Sequence, residues 1–414
     1  MSKQRNFSNE RKDLQKQGLA PAWMTTMGWQ LFSQKYLNGD CKNPHDQYKR
    51  ISTTLAKHAP KEFPDFWDKV DYWKGKTWEE AFFSVLWDGY ISASTPLLTN
   101  TGTDFGMSVS CSGAYVGDSV EEFYETRKGN ALLTKEGFGT SVYLGDIRSR
   151  GSKMKNGEAT GAQPVAEMFV DDSLKISQGS ARRGASAWYY PIDGGDFDEL
   201  VHYLETHTDG NNAGWCLTDE YREKLLSGDK EAVKRWGQML SCKGNVGSGY
   251  QFFKSKANRK TPKMYKDKGL EVKASQLCSE ITLFSDEENT YTCVLSSENL
   301  RNWDNRPDML AFVGTVLLDC VAEDFIVKAK TKAGLERAIK FTEENRALGY
   351  GAMAFHTYLL DHNIVWGSLE SKFINELMFS TIKKEAVQAT EWLAKVLGED
   401  RKSTRLNSSH RCLS

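Results

Sequence analysis

The 414-residue sequence predicts an α/β fold with a helical region in front of it, and three observations lead there. Short apolar runs rich in β-branched and aromatic residues recur between turn-forming clusters, as strands do. Two longer segments carry apolar residues at helical spacing. Strands that alternate with helices of this length point to a layered α/β architecture. The first 75 or so residues differ: they are polar, rich in Lys, Trp and Tyr, and read mainly as helices.

The elements follow in chain order. From about Thr77 the apolar content rises. Ser119 followed by Glu122 is a capping-box pattern and predicts a helix after it. Gly137 and Gly139 interrupt the chain before a strand-like run, 140–144. Residues 187–190 read as a short buried strand ended by Pro191, and 250–253 as another. Residues 281–284 and 290–295 read as two more, split by the turn-forming 285–289. Met309, Phe312, Val313, Val316, Leu317, Cys320 and Val321 form one helical stripe, with Cys320 as a core thiol. Ile374, Met378, Ile382, Ala386, Ala389 and Leu393 form a second. Residues 400–414 are polar, lack a continuing stripe and read like a translated sequencing adapter, so they are expected to be non-native. The expected organisation is therefore a helical region 1–75, a catalytic region 76–399 and the tail. No internal repeat is present.

Charge narrows the function. Lys+Arg total 54 and Asp+Glu 55, which excludes a general electrostatic grip on nucleic acid or an anionic membrane. Ten basic against four acidic residues in 1–57 read as a solvated helical face. No apolar run reaches the roughly 20 residues that span a bilayer, and no signal peptide is visible. A cytoplasmic enzyme is expected, its eight cysteines mostly thiols. None forms a C-x-x-C pair, so thiol chemistry must use cysteines that the fold brings together.

The chemistry centres on Gln276, Cys278 and Glu280, followed by Cys293. A cysteine two residues before a glutamate puts a hydrogen donor near a carboxylate, although that spacing alone has low specificity. The flanking pieces raise it. Ser94-Thr-Pro96, Ser110-Cys111, Gly117-Asp-Ser119, Gly137-Phe-Gly139, Ser177-Gln-Gly179, Gln276-Leu-Cys-Ser-Glu280, Cys293-Val-Leu-Ser296 and Ala347-Leu-Gly-Tyr-Gly351 occur in this order. Together, over roughly residues 18–399, they resemble the large subunit of class I ribonucleotide reductases.

The resemblance implies a ten-stranded α/β barrel, here partial, with Cys278 on a finger loop. It implies reduction of ribonucleoside diphosphates to 2′-deoxyribonucleoside diphosphates. Cys278 would become the thiyl radical that removes the ribose 3′ hydrogen. Glu280 would be the general base on the 3′-hydroxyl, within about 3 Å of it. Cys111 and Cys293 would supply two reducing equivalents and end as a disulfide, which requires Cα atoms roughly 4.4–6.8 Å apart. The family has Asn where this chain has Gln276. The longer amide keeps donor and acceptor and is expected to bind the ribose hydroxyls still. Thr95 and Ser110 match substrate contacts, and Gly137 a glycine that lets backbone approach the nucleotide.

The resemblance also implies a deoxynucleoside triphosphate or ATP effector site at a homodimer interface. Asp118 would contact the effector's sugar or base and Arg148 and Lys155 its phosphates; residues 179–186 match the loop that relays effector identity to the substrate, with Arg182 as its main contact. The expected partners are a radical-generating small subunit with a di-iron or di-manganese centre, and thioredoxin or glutaredoxin as reductant. Neither nucleic acid nor membrane is expected as a partner. The alternatives are a class II, adenosylcobalamin-dependent reductase and a non-catalytic nucleotide-binding fragment. The family's N-terminal ATP-cone and its C-terminal tyrosine pair and tail cysteines have no counterpart in the sequence. The chain thus reads as truncated at its C-terminus, and a rate assay with a small subunit is expected to give no turnover from it alone.

Overall fold

The computed structural model describes residues 5–176 and 184–398. Helices dominate the beginning: Phe7–Lys16, Thr26–Leu31, Pro44–Ala56 and Trp78–Trp87. Their starts are local chemistry. The Asn43 side chain accepts from Asp46 N–H at 2.9 Å, ahead of Pro44 in the first turn. Thr77 and Glu80 form a complete capping box, which the sequence reading had passed over.

Ten strands follow among the described residues: β1 Ile91–Ala93, β2 Cys111–Tyr115, β3 Gly139–Tyr143, β4 Lys153–Met154, β5 Gly157–Glu158, β6 Ser186–Pro191, β7 Asn211–Leu217, β8 Tyr250–Phe253, β9 Tyr291–Asn299 and β10 Leu348–Met353. This is the α/β class the sequence predicts, behind a helical N-terminal region. The chain divides into two compact units. One comprises Met1–Ser110, Val294–Lys328 and Glu344–Ser414; the other comprises Cys111–Cys293 and Ala329–Glu343.

In the first unit β9 pairs antiparallel with β1 and parallel with β10. Both predicted helical stripes are helices, Leu310–Ala329 and Leu369–Leu397, and Cys320 is fully buried. Buried charge ties the unit together. Arg306 meets both oxygens of Glu385 at 2.9 and 2.5 Å, and its Nε donates to Glu298 at 2.6 Å. Glu385 also accepts from the N–H groups of Met309 and Ala311, at the start of Leu310–Ala329.

In the second unit the strand order is β9-β2-β3-β6-β7-β8, parallel throughout except where β2 meets β9. Helices Val120–Lys135, Ala162–Lys175, Phe197–Thr206 and Lys230–Val246 alternate with the strands. One strand face packs Ala114, Val142, Trp188, Tyr190, Ala213 and Trp215 into the main core with Phe169, Phe197, Leu200 and Met239 of those helices. The opposite face carries the cysteines.

One local expectation fails. Residues 281–284 form no strand; Ile281, Leu283 and Phe284 are buried, and Phe284 packs on Tyr265 and Phe341. A short apolar run marks burial, and burial alone does not make a ladder. Ser119 does cap its helix, accepting from Glu122 N–H at 3.1 Å. The Glu122 carboxylate, however, is taken by the Arg337 guanidinium at 3.1 and 3.2 Å. A two-pronged charged pair outcompetes the reciprocal cap.

Glycines test the packing. A Cβ on Gly113 would lie 2.2 Å from the ring of Tyr291, its register partner, whereas one on Gly244 meets nothing within 4 Å. Gly113→Ala is expected to destabilise by about 1–3 kcal/mol through overpacking. Gly244→Ala, exposed in the last turn of helix Lys230–Val246, should stabilise by up to about 1 kcal/mol. Urea unfolding midpoints of the two variants check both signs.

Candidate active site

The cysteine-bearing face of the second unit follows from register. In β2 and β9, Cys111 stands opposite Cys293 and Gly113 opposite Tyr291. Residues two apart share a face of a strand, and directly opposed residues share it across a pair. Opposed Cα atoms on antiparallel strands lie about 4.5 or 5.5 Å apart, and either value is within reach of a disulfide. Two cysteines far apart in sequence are therefore neighbours because two strands pair in this register.

Aromatic rings cover the rest of the face. The Tyr291 ring lies over Gly113, and its hydroxyl comes within 3.4 Å of Ser141 Oγ on β3. Gly214 of β7 gives Tyr189 of β6 the same room. Burial pushes both phenols well above their ordinary pKa; for Tyr291 the sulfurs of Cys111 and Cys293 add to the effect. Both stay protonated and act as hydrogen-bonding groups at neutral pH.

Residues 271–280, which have no regular structure, are tied to this face by their carbonyls. Cys216 Sγ contacts the carbonyl oxygen of Lys273 at 3.5 Å. Ser141 Oγ donates to that of Ser275 at 2.9 Å, and the Tyr189 hydroxyl to that of Gln276 at 2.6 Å. At the tip, Ser279 N–H donates to the Gln276 carbonyl at 3.1 Å, closing a turn with Leu277 and Cys278 inside it. Ser279 has φ of 64°, the left-handed region that costs most L-residues about 1–2 kcal/mol. Its Oγ is within 2.6 Å of the Tyr189 hydroxyl. Cys278 and Glu280 are both exposed on this loop, and both raise the pKa of half-buried Tyr250 electrostatically, after burial itself.

Gln276 is fully buried and joins loop to strand. Its Oε1 accepts from the N–H groups of Cys278 and Ser279, the latter at 2.9 Å, while Nε2 donates to Cys111 Sγ at 3.9 Å. One N–H of the amide remains for another acceptor. The structure thus brings together Cys111, Cys293, Gln276 and the Cys278–Glu280 loop. Sequence reasoning missed Tyr189, Ser141, Ser279 and Tyr291; glycines opposite tyrosines on neighbouring strands were the available signal.

The other predicted residues have the following local settings. Gly137, with φ of 104°, follows helix Val120–Lys135 and leads into β3. Asp118 and Arg148 pair with each other: Arg148 Nε donates at 2.6 Å and its backbone N–H at 3.2 Å. Lys155 is exposed on the turn between β4 and β5. Asp196 holds this segment by accepting from Arg150 N–H at 2.8 Å and Ala162 N–H at 2.7 Å. In the first unit, Thr95 begins helix Thr95–Asn100, whose N-cap Ser94 accepts from Ser110 Oγ at 2.9 Å. Arg182 and the 400–414 tail lie outside the described residues. Among the described residues, no group of three or more His, Cys, Asp or Glu is placed to hold a metal, and no helix is long and apolar enough to cross a membrane.

This arrangement defines a thiol site on an α/β scaffold, and comparison with known proteins gives its family. Residues 109–213 and 216–404 match "Ribonucleotide reductase, barrel domain", and 22–106 match "Ribonucleotide reductase, all-alpha domain". The chain belongs to the ribonucleotide reductase large-subunit family. It is 30% identical over 336 residues to the putative ribonucleoside-diphosphate reductase large subunit of Frog virus 3, covering 76% of this chain and 58% of that one. It is 26% identical over 376 residues to the ribonucleoside-diphosphate reductase subunit alpha of Chlamydia pneumoniae, covering 78% and 35%. Among solved structures, the Actinobacillus ureae class Id ribonucleotide reductase alpha subunit superposes with a TM-score of 0.82 at 31% identity, over 95% of this chain and 74% of that one. The chain thus spans little more than half the length of one of these curated relatives, and about a third of the other.

Register predicts which sulfurs join, since Cys111 and Cys293 are buried but directly opposed. Burial raises the Cys216 thiol to about 12 and the Cys242 thiol to about 11, so both carry almost no thiolate near pH 8. Mild oxidation of the reduced chain at pH 8 should join Cys111 to Cys293 and leave Cys216 and Cys242 alkylatable after unfolding. Peptide mapping by mass spectrometry reads this directly, and Cys293→Ser should abolish the linked peptide.

Proposed function

We propose that the chain supplies the reducing thiols and the ribose-activating loop of a ribonucleoside-diphosphate reductase. The observation that carries this reading is the opposed pair Cys111 and Cys293, linked through Gln276 to the turn that presents Cys278. In the proposed reaction a thiyl radical on Cys278 takes the 3′ hydrogen of the ribose. Glu280 accepts the 3′-hydroxyl proton, and the 2′-hydroxyl leaves as water. Cys111 and Cys293 give up two hydrogens, one completing the leaving water and one going to C2′, and form a disulfide, after which Glu280 returns its proton to the 3′-oxygen and Cys278 its hydrogen to C3′. The sum is one diphosphate and two thiols in, one deoxynucleotide, one water and one disulfide out.

A weak S–H bond on an exposed, anchored loop tip suits reversible hydrogen abstraction, and an exposed carboxylate two residues on suits proton transfer. Likeness to a class Id alpha subunit favours a radical from a separate small subunit, with a di-iron or di-manganese centre, over adenosylcobalamin. Re-reduction would come from thioredoxin or glutaredoxin by thiol–disulfide exchange. A homodimer of large subunits and a cytoplasmic location complete the proposal.

Occupancy of the site is measurable without turnover. A ribonucleoside diphosphate should protect Cys278 from alkylation in a saturable way, and the parent nucleoside should do so much less. Equal alkylation with and without diphosphate would end the reading.

Effector binding is proposed at Asp118, Arg148 and Lys155, with Arg182, which lies outside the described residues. Arg148 is already held by Asp118, so a triphosphate must share or displace that carboxylate. Arg148→Ala should weaken deoxynucleoside triphosphate binding about tenfold, or roughly 1.4 kcal/mol, by titration calorimetry, and should leave diphosphate protection of Cys278 intact.

A further inference from the structure

We infer that Gln276 is a positioning residue that couples the Cys111 sulfur to the loop tip carrying Cys278, so that strand thiol and loop thiol are held as one hydrogen-bonded unit. The inference deepens the proposed function and rests on its assignment of Cys278, Cys111 and Cys293 as the working thiols.

The geometry leaves the amide little freedom. Gln276 is fully buried. Its Oε1 gathers two backbone N–H groups, from Cys278 and Ser279, and its Nε2 points at Cys111 Sγ. Its main chain is also engaged, the carbonyl accepting from both Ser279 N–H and the Tyr189 hydroxyl. Ser279 N–H is therefore shared between the backbone and side-chain oxygens of one residue. Oxygen and nitrogen at the end of the amide face different elements, the loop and β2. A movement of the sulfur away from Nε2 thus acts on the same group that orients the two tip amides.

Disulfide formation makes such a movement, because Cys111 Sγ must turn toward Cys293 to bond with it. The contact from Nε2 is then lost, and one end of the amide is left without its partner. Tip order accordingly depends on the redox state of the strand pair: reduced cysteines hold the Cys278 turn, and oxidised ones loosen it.

Side-chain length separates the two contacts. Asparagine can still accept from an N–H two residues on, the common Asx-turn, but it is one methylene short of the sulfur. Methionine keeps the bulk and loses both contacts. A hydrogen bond donated to sulfur favours the thiolate.

The test uses the full chain, with hydrogen exchange at the amides of Cys278 and Ser279 and the pH profile of iodoacetamide labelling at Cys111 and Cys293. In Gln276→Met, exchange at both tip amides should rise about tenfold or more, and labelling of Cys111 at pH 8 should slow about fivefold relative to Cys293 as its profile moves to higher pH. In Gln276→Asn the Cys111 effect should appear, tip exchange should rise as oxidation raises it in the unaltered protein, and oxidation should add nothing further. In the unaltered protein, oxidation of the strand pair should raise tip exchange as the Met variant does. Unchanged Cys111 labelling in Gln276→Asn, or tip exchange indifferent to oxidation, would overturn the coupling. Should Gln276→Met fail to fold, those two measurements suffice. Mapping the Cys111–Cys293 linkage in unaltered protein tests the functional reading separately, since it does not depend on Gln276.

Discussion

The site depends on the register between β2 and β9. Side chains alternate faces along a strand, so a slip of one residue would send Cys111 and Cys293 to opposite sides of the sheet. Register is fixed from both faces. On the cysteine face the Tyr291 ring fits over Gly113, where any Cβ would collide with it. One residue on, Thr292 meets Thr342 hydroxyl to hydroxyl at 2.6 Å. Tyr291 then reaches Ser141, which holds the loop through Ser275. A glycine that looks incidental in sequence thereby sets where two sulfurs meet and where the loop above them is fastened.

The seven described cysteines divide by environment. Cys278 is exposed on a turn, whereas Cys216 and Cys320 are wholly buried and suited to packing. Cys216 also contributes a contact to the Lys273 carbonyl, so this thiol serves the site structurally. Desolvation keeps Cys216 and Cys242 protonated, which withdraws them from exchange with the strand pair. The same physics keeps Tyr189 and Tyr291 neutral, so each can donate from a buried hydroxyl without placing charge beside the sulfurs. What singles out Cys111 and Cys293 among the buried thiols is that strand register sets them directly opposite each other.

Much of this was legible in the sequence. The ordered short motifs identified the family, and the strand at 187–190 and both long helices stand where their patterns put them. What could not be read has physical causes. Parallel strands buried on both faces lose their polar alternation, so nothing in 187–190 distinguishes Tyr190, a core residue, from Tyr189, which anchors the loop. Residues 281–284 carry a strand's composition but are buried by packing, Phe284 against Tyr265 and Phe341, without becoming a strand. The fate of Glu122 was set by Arg337, more than two hundred positions away. Asp118 and Arg148 read in the sequence as effector contacts, and the fold also pairs them with one another across thirty positions. Local patterns announce an element; a partner supplied by the fold decides what its polar groups do.

Why the loop is built this way follows from what an exposed reactive thiol requires. A tip open to substrate cannot be held by burial of its own side chains, since Cys278 and Glu280 both face outward. Order must come through the backbone, and it does: contacts from three neighbouring strands reach successive points on the loop between Lys273 and Gln276. The left-handed Ser279 costs about 1–2 kcal/mol, and a net hydrogen bond returns about 0.5–1.5 kcal/mol, so its contact with Tyr189 roughly offsets the strain. A glycine at 279 would avoid the strain but would surrender the contact and add backbone freedom at the position where rigidity matters most. Serine there makes sense only if the precision of the Cys278 turn outweighs the ease of forming it.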